Sequence, residues 1–290
     1  MRRDDRLQET EATLRRHAQA LCRDIGERTI ASGGLARAEA YLHDAFGALG
    51  LAPRRQSYDF RGHEVANLIC DVGPADGPPL VVGAHYDTVP STEGADDNAS
   101  AVCVLLALAA RLAARPPAVP LQLAAFTLEE PPAFHTRGQG SRVFCREMKR
   151  AGIRPRGAIV LEMVGYTSPA QSYPLVLSLA GYPKTGDYIG IVGNVRSLPF
   201  ARRIKRGFRH NPELPVESLT VPLNGFVLNA TRLSDHSSFW DRGWPAVMVT
   251  DTAFFRNPHY HTPGDRLETL DFAFMSQLVD SLEHAVRAFG

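Results

Sequence analysis

Four short apolar runs constrain this chain most: Leu80–Ala84, Leu121–Leu128, Gly157–Met163 and Ala246–Thr250. Each is too short for a typical helix, and apolar runs of this length bounded by turn residues read as strands buried on both faces. Tyr58–Phe60 and Val65–Val72 read as two more strands around a turn. Helical spacing appears between them. Residues 5–24 carry Leu7, Leu14, Ala18 and Leu21, Gly33-Gly34 breaks the chain, and Leu35–Leu49 predicts a second helix ending at Gly50. Ala99–Ala114 predicts a strongly apolar helix, and Leu267–Phe289 a closing one. Strands alternating with helices predict an α/β sandwich around a mixed, largely parallel sheet. The range 165–233 is less regular and richer in Gly and Pro, and is expected as an insertion lining a cleft.

Open α/β sheets bind ligands beyond the carboxyl ends of their strands, so the residues just after each apolar run carry the chemistry. After the first comes His85-Tyr-Asp87, and after the second Glu129-Glu130. Glu162 lies at the end of the third, and the loop after the fourth holds His259-Tyr-His261. Asp96-Asp97-Asn98 sits between the first strand and its helix. A single HxD pair is weak, and Asp96 or Asp97 alone reads as a helix cap. Histidines and carboxylates delivered together to one rim point instead to a divalent metal. Imidazole nitrogen with carboxylate oxygen suits zinc, and an open coordination position suits catalysis. The donors exceed what one catalytic zinc uses and suit two ions about 3.5–4 Å apart, leaving a carboxylate as general base.

Composition excludes other classes. The 290 residues hold 32 Lys+Arg and 31 Asp+Glu, a formal charge of +1. That balance argues against a nucleic-acid or anionic-membrane partner held by bulk charge. The four cysteines, Cys22, Cys70, Cys103 and Cys145, form no CxxC pair and read as buried free thiols. The charged N-terminal stretch lacks the apolar core of a signal peptide, and no run of about 18 apolar residues is present. A cytoplasmic chain without membrane association is the expectation.

The ordered set GAHYDT (83–88), GADDNAS (94–100), LEE (128–130), LEM (161–163) and NPHYHTPGD (257–265) resembles the two-zinc family of aminopeptidases and carboxypeptidases. That family includes bacterial leucyl aminopeptidases and glutamate carboxypeptidase. SDHSSF (234–239) and GWPAVMVTD (243–251) match further blocks. The resemblance implies a three-layer α/β/α zinc-exopeptidase fold. Because the motifs run from residue 85 to residue 261, a single zinc-peptidase domain over 1–290 is expected. It also implies two zinc ions, other divalent metals being possible, and a peptide or aminoacyl substrate. By resemblance His85 and Glu162 hold the first metal, Asp97 bridges, and Glu130 and His261 hold the second. Asp87 orients His85, Glu129 is the general base, and Tyr260 donates a hydrogen bond to the developing oxyanion.

Two departures stand out. Glu162 occupies a slot where the family commonly has Asp. The segment Pro131–Ser141 replaces a compact Gly-rich turn after Glu130 and is expected to shape the substrate pocket. The resemblance leaves alternatives: a single-zinc acyltransferase like the glutaminyl cyclases, which share this fold, or related zinc hydrolases with HxDxVP, matched here by HYDTVP (85–90). The remaining alternative is a receptor-like relative without activity. Asp235 and His236 are candidates for the site or for a helix cap, and His135 for a substrate contact. The basic run Arg202–Arg209 reads as a solvated helix face.

Overall fold

The computed structural model describes residues 2–173, 177 and 181–290. Helices α1 (Arg3–Ala18) and α2 (Gly34–Ala48) precede the hairpin of β1 (Arg54–Phe60) and β2 (His63–Val72). Then come β3 (Leu80–His85), α3 (Ala101–Ala114), β4 (Leu121–Phe126), α4 (Gly140–Arg150) and β5 (Gly157–Glu162). Beyond lie β6 (Ile189–Asn194), α5 (Leu198–Phe208), β7 (Val216–Val221), α6 (His236–Trp240), β8 (Ala246–Thr250) and α7 (Phe272–Arg287).

The strands form one sheet in the order β1-β2-β4-β3-β5-β8-β6-β7. β4, β3, β5 and β8 run parallel in its centre. β1–β2, β2–β4 and β6–β8 pair antiparallel. The expected mixed, largely parallel sheet is present, with a helical layer on each face. Alternation along β3 shows why the central runs are apolar throughout. Leu80, Val82 and Ala84 join the core under α1, α3 and α7, while Val81 faces Phe144, Phe239 and Trp240 on the other side.

Several boundaries depart from the sequence reading; β1, for one, starts at Arg54 rather than Tyr58. Residues 165–233 are more regular than the sequence reading expects: β6, α5 and β7 complete one edge of the sheet, and Tyr188, Gly190, Glu217 and Leu233 of this range line cavities. Residues 174–176 and 178–180 of that range lie outside the described residues. The closing helix starts at Phe272, because the side chain of Asp271 accepts the Phe274 N–H and caps it there; Leu267–Thr269 is a separate 3₁₀ turn. Ala95–Ala114 has the length and composition of a membrane span, yet 78% of its apolar window is buried within the fold.

Candidate metal centre

The four central strands run parallel, so their carboxyl ends share one rim. His85 ends β3 and Glu162 ends β5. Glu129 and Glu130 come after β4, and the chain leaving β8 carries Tyr260 and His261. Asp97 lies in the irregular turn Ala95–Ser100 that leads into α3. Three non-glycine residues within or next to the donor set adopt left-handed φ: Leu128 (53°), Met163 (44°) and His261 (56°). Two of them adjoin a site carboxylate and the third is a site histidine, and such conformations cost of order 1–3 kcal/mol each.

One ligand atom each from His85, Asp97 and Glu130 lies within 4.8 Å of the other two. His85 Nε2 is 3.4 Å from Asp97 Oδ1, 3.5 Å from Glu162 Oε1 and 3.9 Å from Glu129 Oε2. His261 Nε2 is 3.1 Å from Asp97 Oδ2 and 3.2 Å from Glu130 Oε1. Asp97 thus stands between two groups of donors, His85 with Glu162 and His261 with Glu130. Tyr260 stacks on His261 with ring centroids 3.8 Å apart. It shares a cavity of about 200 Å³ with Glu129, Glu130 and Glu162. Pro131 and Phe134, from the segment singled out in the sequence, form part of its wall.

A cation fits this set. His85 Nε2 and Asp97 Oδ1 are buried without a hydrogen-bond partner among the described residues, an expensive arrangement unless something binds them. Burial, then the neighbouring Asp97 charge, pushes the Glu130 carboxyl up to about 8. Burial, then Glu130 and Glu162, pushes Glu129 well above the carboxylate range. Burial alone lowers a histidine; for His85 the surrounding carboxylates, Glu162 foremost, reverse this and raise it. Asp97 moves the opposite way: burial opposes its ionisation, but His261 and His85 overcome that and hold it ionised. Crowded carboxylates that retain protons, beside histidines that gain them, mark a cluster short of positive charge.

Each donor is held from behind. Asp87 lies 3.4 Å from His85 Nδ1 and accepts the backbone N–H of Glu129 and of Glu130, both at 3.0 Å. Ser234 Oγ donates to Glu162 Oε2 at 2.7 Å. The Asp265 carboxylate accepts the N–H of Asp96 at 2.8 Å and of Asp97 at 3.0 Å. Asp96 itself accepts from Gly165 N and Asn257 Nδ2, so it braces the turn from the far side. Arg28 is fully buried and donates to the carbonyls of Leu21, Gly26, Tyr86, Glu93 and Gly94, fixing the loop before Asp97. The sequence reading missed Ser234, Asp265 and Arg28. The first two lie inside quoted motif blocks, whereas Arg28 carries no local signal.

The remaining candidates separate. Asp235 caps no helix; it is buried and accepts from Gln139. His236 donates to Thr231 O and packs edge-on against Trp240. His135 stacks on Phe134, outside the residues lining the cavity. His259 is tied into its own loop through Asn257. In the basic run, Arg203 spends its guanidinium on Ala288 O and Lys205 donates to Ser218 Oγ. All four cysteines are free and buried.

Residues 67–286 match peptidase family M28. The uncharacterized Escherichia coli protein YfbL is 38% identical over 259 residues, covering 86% of this chain and 78% of that protein. A probable leucine aminopeptidase of Arthroderma otae is 26% identical over 77% of this chain, which spans 55% of that relative's length. The fold resembles Legionella pneumophila LapA, with a TM-score of 0.78 at 16% identity, covering 100% of this chain and 77% of that one. It also resembles a Bacteroides thetaiotaomicron glutaminyl cyclase, with a TM-score of 0.71 at 16% identity, covering 96% and 97%. The chain belongs to peptidase family M28.

Proposed function

We propose that this protein is a metal-dependent aminopeptidase whose centre takes two zinc ions. His85, Asp97 and Glu162 would hold one, and Asp97, Glu130 and His261 the other. The convergence of His85, Asp97 and Glu130 donors with unpaired buried atoms carries the reading. When bound, the ions supply Lewis acidity toward the scissile carbonyl and lower the pKa of water.

The chain's own groups do the rest. The Glu129 carboxylate accepts no hydrogen bond among the described residues and faces the cavity, where it takes a proton from the attacking water and returns it to the leaving amine. Tyr260 donates a hydrogen bond to the carbonyl oxygen as its negative charge grows. Asp87 fixes the ring orientation of His85, and Phe134 and Leu233 exclude solvent from one wall. Peptides, held by their free amine near the carboxylates, are the substrates.

A second reading is cyclisation of an N-terminal glutamine around one zinc, favoured by the fold likeness to glutaminyl cyclases. Metal analysis, together with aminoacyl, carboxypeptidase and N-terminal glutamine substrates with and without chelator, decides between them. Chelator-sensitive release of N-terminal residues with two zinc per chain supports the aminopeptidase. One zinc with pyroglutamate formation supports the cyclase, and a chain that binds no zinc overturns both.

A further inference from the structure

A second cavity runs across the sheet from the metal centre, and its floor is one row of residues in register over four strands. Glu162 on β5 pairs with Thr250 on β8, Thr250 with Gly190 on β6, and Gly190 with Glu217 on β7. All four line the cavity. Met248, Val192 and Leu219 form the next row and make its apolar side. Strands stand about 4.8 Å apart, so the backbones of Glu162 and Glu217 are separated by roughly 14 Å. Gly190 has no side chain and leaves the lane between them open; any other residue there would project into it.

Glu217 closes the far end. It is half-buried, and among the described residues it makes neither a salt bridge nor a side-chain hydrogen bond. Tyr173 and Tyr182 stand beside it with ring centroids 5.9 Å apart. The Tyr182 hydroxyl is anchored on Ser218 O at 2.8 Å, and that of Tyr173 on Tyr188. Burial first, then the Glu217 charge, raises the Tyr182 phenol, so the ring stays neutral. Arg256, beside Tyr188, is already spent: it lies over that ring and donates to Gln171 Oε1, Tyr166 O and Tyr188 O.

We propose that this lane receives the side chain of the substrate's N-terminal residue, and that Glu217 selects a long cationic one, arginine or lysine. The inference rests on the aminopeptidase reading above. A residue held at the metal centre by its amine and carbonyl sends its side chain past Thr250 and over Gly190. An aliphatic stem covers Met248, Val192 and Leu219, as the stems of Lys and Arg do on apolar surfaces. The charged head then meets the unpaired carboxylate beside the two tyrosine rings, where an ion pair and cation–π attraction act together. A shorter apolar side chain would bury part of Glu217 without giving it a partner, which is costly.

The test uses the zinc-loaded full chain and aminoacyl amides of Arg, Lys, Leu and Met. Arg and Lys are expected to have the highest kcat/KM, and Glu217→Gln to lower the Arg-to-Leu ratio at least tenfold. Glu217→Leu should invert that ratio. Calorimetry with free L-arginine and L-leucine reads the lane independently of turnover: arginine binds tighter, and loses that advantage in Glu217→Gln. Cleavage of Leu but not of Arg or Lys overturns the inference and leaves the aminopeptidase reading standing. So does an Arg-to-Leu ratio unmoved by either variant. If no amide is cleaved the aminopeptidase reading falls, and equal binding of the two amino acids then overturns the lane as well.

Discussion

The carboxylate of Asp87 accepts the backbone N–H of Glu130 at 3.0 Å, and its other oxygen accepts that of Glu129 at the same distance. Asp87 also lies 3.4 Å from His85 Nδ1. One side chain therefore sets both the orientation of a histidine donor and the path of the main chain that carries two site glutamates. Partners behind ligands are worth about 10–100-fold in metal affinity. Asp87→Ala is expected to weaken zinc binding by that factor in a chelator competition. Asp87→Asn, which keeps one acceptor, should fall in between. Unchanged affinity in the alanine variant would remove Asp87 from the site.

Unlike those of Glu130 and Glu162, the Glu129 carboxylate accepts no hydrogen bond among the described residues, and His85 Nε2 at 3.9 Å is its nearest basic nitrogen. Facing the cavity and standing outside the two donor groups around Asp97, it suits proton transfer better than ligation. Glu129→Gln is expected to lower kcat by at least about 100-fold, with zinc content unchanged by elemental analysis. Wild-type-like hydrolysis, or loss of a metal ion from the variant, would refute the assignment.

Among the described residues Arg28 has no carboxylate partner, and five carbonyl oxygens share its buried guanidinium. Removing it leaves those acceptors without donors in the interior. Hydrogen bonds to charged groups are worth about 1.5–3 kcal/mol each, so Arg28→Met should cost at least about 3 kcal/mol. The guanidinium denaturation midpoint measures it. Hydrogen exchange should rise first around Glu93–Asp97, because two of the carbonyls belong to that loop. A midpoint within error of wild type would show that water replaces the lost donors.

The strands and the ligand-bearing residues were legible because both are local. A buried parallel strand is an apolar run, and a side chain at its end needs no further information to reach the rim. Glu162 was readable from LEM for this reason, and the structure sets it 3.5 Å from His85. The bracing of the cluster was not legible. Arg28 meets Gly94 from 66 residues away, and Asp265 meets Asp97 from 168 away, so no spacing rule links them. The edge of the sheet was misjudged for a related reason. β7 is partly exposed and alternates weakly, with Glu217 and Ser218 inside it, so its pattern resembles a loop until β6 supplies the pairing. Glu217 was hidden in the same way, since its relation to Glu162 exists only through two intervening strands.

His236 supplies a stability test remote from the ligands. It is fully buried, donates to Thr231 O and leaves Nδ1 without a partner among the described residues. Burial, with a smaller push from Arg232, lowers it to about 3 from its ordinary 6.5. In the folded chain it stays neutral where the unfolded chain already takes up a proton. Its contribution is therefore complete above pH 6.5 and is lost as pH falls toward 3. The slope is about 1.4 kcal/mol per pH unit, or about 2 kcal/mol by pH 5. His236→Gln keeps a donor for Thr231 O and does not titrate. Denaturant unfolding at pH 7.5 and 5.0 should therefore show a drop about 2 kcal/mol larger in wild type than in the variant. The buried Asp235 and Asp251 carboxyls, pushed up to about 7 and about 6 mainly by burial, act in the opposite sense but are common to both proteins. Metal release on acidification is common to both as well, so the difference isolates the histidine. Equal drops would mean that the folded protein lets His236 protonate near its ordinary value.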